Sequence, residues 1–235
     1  MTNSGSGLRP PDRPTTIFPL IRHISRPLTI LLLKTRLGSS QATFIALIFG
    51  IAAALSFLPG SYEFNVLGGL LLTINYILDN CDGEIARARK KASRFGHEFD
   101  TFVDWVVNSA VIAAMGHGLY NETQQQIWLW LGWAGAAGGT TNYFLTLFWK
   151  WRDSTGDQIT DPDMPREDEN QGQEKDGLGA VLIVAFREFA RADFWFIVLV
   201  MALLDWIRYL LPLAAVGAQI YWILQFAVRG KDHRV

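Results

Sequence analysis

Long apolar runs separated by shorter polar stretches dominate the chain. Residues 42–58 are seventeen uncharged positions, and a second run, VLGGLLLTINYIL, begins at Val66 and leads into a cluster of aspartates. A third extends from Phe99 to about Leu119, and a fourth, IWLWLGWAGAAGGTTNYFLTLFW, from Ile127 to Trp149. A fifth covers Phe194 to about Ile207, and a sixth runs from Tyr209 to Val228, interrupted only by Pro212. Each is read as a membrane crossing, for which a hydrocarbon core of about 30 Å asks for a helix of about 20 residues, with the second and third extending past the interface. The pattern predicts an all-α, polytopic membrane protein with six transmembrane helices.

The segments between the runs complete the layout. Residues 1–16, MTNSGSGLRPPDRPTT, are polar and rich in Ser, Gly and Pro, lack the apolar core of a cleavable signal peptide, and read as a flexible lead-in. Residues 17–40 mix the short run PLTILLL with Arg22, Arg26, Lys34 and Arg36, the composition of an amphipathic helix lying in the interface before the first span. A transmembrane domain of residues 41–230 follows. Its polar insertion at about 150–176 carries Pro162, Pro165 and many acids and amides, and reads as a loop outside the membrane. After it, GLGAVLIVAFREFARAD is amphipathic, with Arg187, Glu188, Arg191 and Asp193 at its end.

Charge then gives the layout a direction. With six spans, the amino terminus, the second-to-third and fourth-to-fifth connections and the carboxyl tail share one side. They hold 6, 5, 6 and 3 of the 21 basic residues, leaving Arg208 in a short turn opposite. Positive residues favour the cytoplasm, so both termini and the aspartate cluster are expected there. Composition agrees with a membrane class: half of the 235 residues are hydrophobic, nine of them tryptophan. A net charge of −1 excludes the basic excess that nucleic-acid binding needs, and the single Cys81 can form neither an internal disulfide nor a cysteine metal site.

Chemistry concentrates in DNCDGEIARARKKASRFGHEFDTFVD, residues 79–104. Asp79 and Asp82 are three apart and Asp100 and Asp104 four apart, so each pair shares one face of its helix, and two antiparallel helices can bring the faces together. Four carboxylates at a bilayer edge repel one another and resist desolvation, so they need countercharge. An all-oxygen set without His or Cys favours Mg²⁺ or Mn²⁺ over zinc, and two bridged ions form a clamp for displacement at phosphorus. Between the pairs, Gly83 permits close approach of a ligand, Ala86 keeps the face shallow and Arg87 offers charge-assisted bonds to phosphate, while Gly96 opens the next helix or a close turn. The plainer readings are packing for a lone Gly or Ala, a cytoplasmic marker for Arg89, Lys90, Lys91 and Arg94, a solvated turn residue for His97 and a spacer for Cys81.

The whole pattern, Asp79-x₂-Asp82-Gly83-x₂-Ala86-Arg87-x₈-Gly96-x₃-Asp100-x₃-Asp104, resembles at every defined position the signature of the CDP-alcohol phosphatidyltransferase family. The resemblance implies transfer of a phosphoryl-alcohol group from a CDP-alcohol donor to an acceptor hydroxyl, with release of CMP. It further implies that Asp79, Asp82 and Asp100 hold one metal ion and Asp79, Asp100 and Asp104 a second. Asp104 would also accept the proton of the attacking hydroxyl. Gly83, Ala86, Arg87, Ser93 and Gly96 would belong to the CDP site, and the active protein would be a homodimer. Many relatives begin the first span with Thr-Pro-Asn-x-x-Thr to help form the nucleotide pocket; this chain reads GSSQAT, keeping Thr43 and placing Ser39 and Ser40 where Pro and Asn stand. The Ser40 hydroxyl can still make a hydrogen bond there.

The donor implied is CDP-diacylglycerol, which marks a step in phospholipid biosynthesis; a soluble CDP-polyol donor is the alternative. A phosphorylated acceptor would need basic groups, and Arg22, Arg26, Arg152, Arg187 and Arg191 fall on the expected side. Two other classes use similar carboxylates. Membrane prenyltransferases also bind Mg²⁺ and a pyrophosphate, but lack the Gly-x₂-Ala-Arg segment. A non-enzymatic cation transporter would carry its acids near mid-bilayer. CMP formation separates the transferase from both.

Overall fold

The computed structural model describes residues 21–154 and 194–229. The expected lead-in, most of the polar insertion and the amphipathic stretch with Arg187 and Arg191 lie outside the described residues. Seven helices, and no strand, make up the described residues: α1 (Ile21–Leu33), α2 (Ser39–Phe57), α3 (Tyr62–Ala88), α4 (Arg94–Thr123), α5 (Ile127–Ser154), α6 (Phe194–Leu203) and α7 (Ile207–Arg229). The described residues are all-α, and helices stand where each apolar run begins. Two of them, α2 and α4, are long and apolar enough to cross a membrane. In α3 the apolar character gives way to Asp79, Asp82, Glu84 and Arg87 in its last three turns.

The helix ends have local causes. At the start of α2 the side chain of Gln41 turns back so that Gly38 N donates to its Oε1 at 2.9 Å. The α2–α3 turn passes through Gly60 at φ 79°, where any Cβ would strike the backbone of Gly118 on α4. Ser93 caps α4, its Oγ accepting from Gly96 N at 3.0 Å, so α4 begins five residues before the expected Phe99. Gln124 closes α4 in the left-handed conformation.

The expected fifth and sixth spans need correcting at their junction. α6 ends at Leu203, and the chain turns through Leu204–Trp206 with Asp205 at φ 57°, so α7 begins at Ile207. Arg208, expected in the turn, lies in the first turn of α7 and pairs with Glu122 of α4 at 3.3 Å. Pro212 stays inside α7 without breaking it.

α2 packs against α3 and α4, α4 against α5, and α5 against α7, while α1 and α6 both lie on α3. The core joins Phe57, Leu72, Val103, Val107, Val111, Val198 and Leu211, all buried, from α2, α3, α4, α6 and α7. A smaller cluster of Ala42, Cys81 and Ile85 seats α1 on the amino-terminal end of α2 and the carboxyl-terminal end of α3. α1 turns Ile21, Ser25 and Thr29 inward, while Ile24, Ile30 and Leu31 are exposed. Every described helix shows such a face, as at Phe44, Leu67, Phe102, Trp130, Phe196 and Leu213. An exterior this apolar is suited to lipid rather than water.

Candidate active site

The last turns of α3 and the first turns of α4 meet at the aspartates. Asp79, Asp82 and Asp100 each offer a carboxylate oxygen, and the three oxygens lie within 4.8 Å of one another. Asp82 is buried and the other two are half-buried. The helical spacing that puts Asp79 and Asp82 on one face of α3 also aims them at α4, because Leu72 and Ile85 on neighbouring turns are fully buried and fix the helix's rotation.

Thr43 of α2 joins this group. Its hydroxyl donates a short hydrogen bond to Asp82 Oδ2, a contact that ties three helices to one carboxylate cluster. The oxygens Asp79 Oδ1 and Asp100 Oδ1 are buried and have no hydrogen-bond partner. Buried acceptors are normally satisfied, and three carboxylates this close repel unless a cation lies among them. A hard divalent ion takes this kind of ligand set, so the residues fit a metal site.

The remaining expected residues fall in different places. Asp104, one turn beyond Asp100, is exposed and outside the tight trio, but within electrostatic reach of Asp79 and Tyr76. Arg87 is exposed and lies beside Gly83, and Ala86 is half-buried. Ser93 and Gly96 hold each other in the α4 cap; a Cβ at Gly96 would sit 3.1 Å from Ser93 Oγ. Ser40 is exposed among Leu37, Gln41, Phe44 and Ile45. Of the basic residues, Arg26 is half-buried on α1 and Arg152 stacks 4.0 Å over the Trp149 ring.

Five hydrogen bonds near the site are absent from the sequence reading. Ser25 Oγ donates to Glu84 Oε1 at 3.1 Å, and Cys81 Sγ donates to Ser25 O at 3.4 Å, so Cys81 is a buried partner of α1. Tyr76 donates to Asn108 Oδ1 at 3.0 Å, one turn below the aspartates. Arg89 does more than mark a side: its guanidinium donates to two carbonyls of the α1–α2 turn. The i, i+4 recurrence of Ile21, Ser25 and Thr29 marks the inward face of α1, but every one of these bonds joins residues more than 30 positions apart, which periodicity does not reveal.

The sequence model of the CDP-alcohol phosphatidyltransferase family matches residues 37–162, more than half of the chain. The chain belongs to this family. As a CDP-alcohol phosphatidyltransferase family member it is 34% identical over 98 residues to the bifunctional IPC transferase and DIPP synthase of Aquifex aeolicus, covering 42% of this chain and 21% of that protein. It is 32% identical over 92 residues to the phosphatidylinositol phosphate synthase of Mycobacteroides abscessus, covering 39% of this chain and 41% of that one. The chain thus spans about a fifth of the length of the bifunctional relative. The phosphatidylinositol phosphate synthase of Mycobacterium tuberculosis, whose crystal structure has CDP-DAG bound, shares the fold with a TM-score of 0.52 at 18% identity, over 85% of this chain and 91% of that one.

Proposed function

We propose that the chain is an integral membrane CDP-alcohol phosphatidyltransferase that moves a phosphatidyl group from CDP-diacylglycerol to the hydroxyl of a second alcohol and releases CMP. The observation that carries the reading is the trio of Asp79, Asp82 and Asp100, with its two buried oxygens lacking partners, inside the segment that the family model covers. The donor is supported by the CDP-DAG in the Mycobacterium tuberculosis protein of the same fold. Relatives named phosphatidylinositol phosphate synthase and archaetidylinositol phosphate synthase support a phosphorylated polyol acceptor, for which Arg26 and Arg152 supply described positive charge.

Asp79, Asp82 and Asp100 would hold one Mg²⁺ or Mn²⁺, and Asp79, Asp100 and Asp104 a second. Such ions, when bound, neutralise the donor's pyrophosphate and the charge that develops as CMP leaves. The chain's own groups do the rest. Thr43 orients Asp82. Asp104, exposed at the edge of the trio, is the proton acceptor for the incoming hydroxyl, its usefulness resting on position as much as on basicity. Gly83 leaves α3 low, and Arg87 above it grips the donor's phosphates, while Ala86, Ser93, Gly96, Ser40 and Thr43 border the nucleotide.

The reading extends to the whole chain. Residues 41–230 form a six-helix transmembrane domain that works as a homodimer, with the active site and both termini on the cytoplasmic side. Two long apolar helices, the exposed apolar faces and the distribution of basic residues support it. The test is CMP release by the purified protein in detergent, with CDP-diacylglycerol and a panel of alcohols and phosphorylated polyols. Release should stop with EDTA and return with Mg²⁺ or Mn²⁺. Full turnover in chelator, or no CMP from any pair, would overturn the reading.

A further inference from the structure

Arg89 is the carboxyl-terminal cap of α3, two turns past Asp82. Its Nη1 donates to Leu37 O at 2.7 Å and its Nη2 to Thr35 O at 2.8 Å. Those carbonyls belong to the turn between α1 and α2, which is otherwise held from within: Thr35 Oγ1 donates to Leu32 O at 2.6 Å and accepts from Leu37 N at 3.2 Å. A planar guanidinium reaching two carbonyls of one turn fixes both position and orientation, as a single ammonium cannot. α2 begins two residues after Leu37, and its second turn carries Thr43.

Thr43 stands between two acceptors. Its hydroxyl reaches Asp82 Oδ2 on α3 and also Ser39 O, one turn back on its own helix, at 3.1 Å. A hydroxyl has one proton to give, so the bonds compete. Ser39 O moves with Thr43 and is always available, whereas Asp82 is available only while α2 keeps its place on α3. Thr43 is thus a polar tie between α2 and α3, as is Asn75, whose Nδ2 donates to Ala46 O at 2.8 Å, and Arg89 ties the turn that leads into α2 to the end of α3.

We propose that Arg89 is a positioning residue for the carboxylate site: by latching the α1–α2 turn to the end of α3, it holds Thr43 on Asp82 and keeps that carboxylate turned toward Asp79 and Asp100. The inference rests on the metal reading of the trio. It assigns Arg89 no contact with substrate or metal. Without the latch, Thr43 falls back to Ser39 O, and Asp82 loses the donor that orients it.

The test is Mn²⁺ binding to the purified full chain, followed by the loss of free-ion electron paramagnetic resonance signal, in wild type, Arg89→Gln, Arg89→Lys, Thr43→Val and the Arg89→Gln/Thr43→Val double variant. Arg89→Gln and Thr43→Val should each weaken half-saturation about tenfold, the lower end of what losing a partner of a ligating group costs. The double variant should be no weaker than either alone, because both changes remove the same bond. Arg89→Lys, which keeps the charge and one of the two bonds, should fall between wild type and Arg89→Gln, and carries the comparison if Arg89→Gln does not fold. A purely structural role would lower the thermal midpoint and leave Mn²⁺ affinity in the folded protein unchanged. That outcome, or losses that multiply in the double variant, would overturn the inference while leaving the metal reading intact. Wild type that binds no Mn²⁺ would remove both.

Discussion

The guanidinium of Arg87 lies against Gly83: a methyl group built on Gly83 would stand 3.3 Å from Arg87 Nη1. The two residues are one turn apart on α3, so the absent side chain at 83 lets the guanidinium lie close over the helix. Replacing Gly83 by Ala should leave stability unchanged or slightly higher, since Ala favours a helix by about 1 kcal/mol over Gly and the guanidinium is a flexible end that can move. Its cost should appear in donor binding. The KM for CDP-diacylglycerol should rise about tenfold, equivalent to about 1.4 kcal/mol, with little change in kcat. Arg87→Lys, which keeps charge and loses the fork, should likewise regain rate as the donor is raised. A fall in kcat at saturating donor for both variants would place Arg87 elsewhere in the reaction.

Asp100→Asn should behave differently. It keeps the size of a group whose buried Oδ1 lacks a partner beside Asp79 and Asp82, and removes the charge. Turnover should drop by about 10²–10³-fold or more, the scale for losing one charge-stabilising group, at every donor concentration. Steady-state CMP release by a monodisperse preparation measures this, and ordinary turnover there would dismiss the shared-metal assignment.

Gly116 of α4 tests the packing of the bundle. A Cβ there would stand 2.7 Å from Trp128 O and 2.8 Å from Gly132 Cα, both backbone atoms of α5. Small residues let helix backbones approach closely, and backbone cannot swing aside as a side chain can. Gly116→Ala should therefore destabilise by about 1–3 kcal/mol and lower the thermal midpoint in detergent. Gly139→Ala, where the nearest atom is Ser109 Oγ at 3.6 Å, should not. Equal midpoints for the two variants would refute close α4–α5 packing.

Topology can be read with single cysteines in a background lacking Cys81. Labels at the exposed positions 121, 122 and 124–126, where α4 ends and turns toward α5, should react with an impermeant maleimide from outside the cell, and labels in 155–176 only after permeabilisation. Arg208 and Glu122, paired at 3.3 Å, belong to the outer side on this reading. The reverse labelling pattern would place the aspartates on the opposite face and contradict the positive-inside rule.

Periodicity and spacing alone carried much of this protein. The apolar runs determined that the chain is helical and where each helix begins within a few residues, because burial in a bundle or a bilayer asks for uninterrupted apolar surface. The fixed intervals among Asp79, Asp82, Gly83, Arg87, Asp100 and Asp104 determined which side chains share a helix face, since 3.6 residues per turn is a local rule. Only the tertiary structure decided what those faces meet. That Asp100 joins Asp79 and Asp82 while Asp104 stays exposed depends on how α4 is rotated against α3 by Val103 and Val107 in the core. That Thr43 rather than Ser40 reaches Asp82, that Ser25 meets Glu84, and that Arg89 closes on Thr35 and Leu37 depend on contacts 39 to 59 residues apart. Such contacts have no period in the chain; helix packing fixes them, and each hydrogen bond is available only once two helices have been brought to the same place.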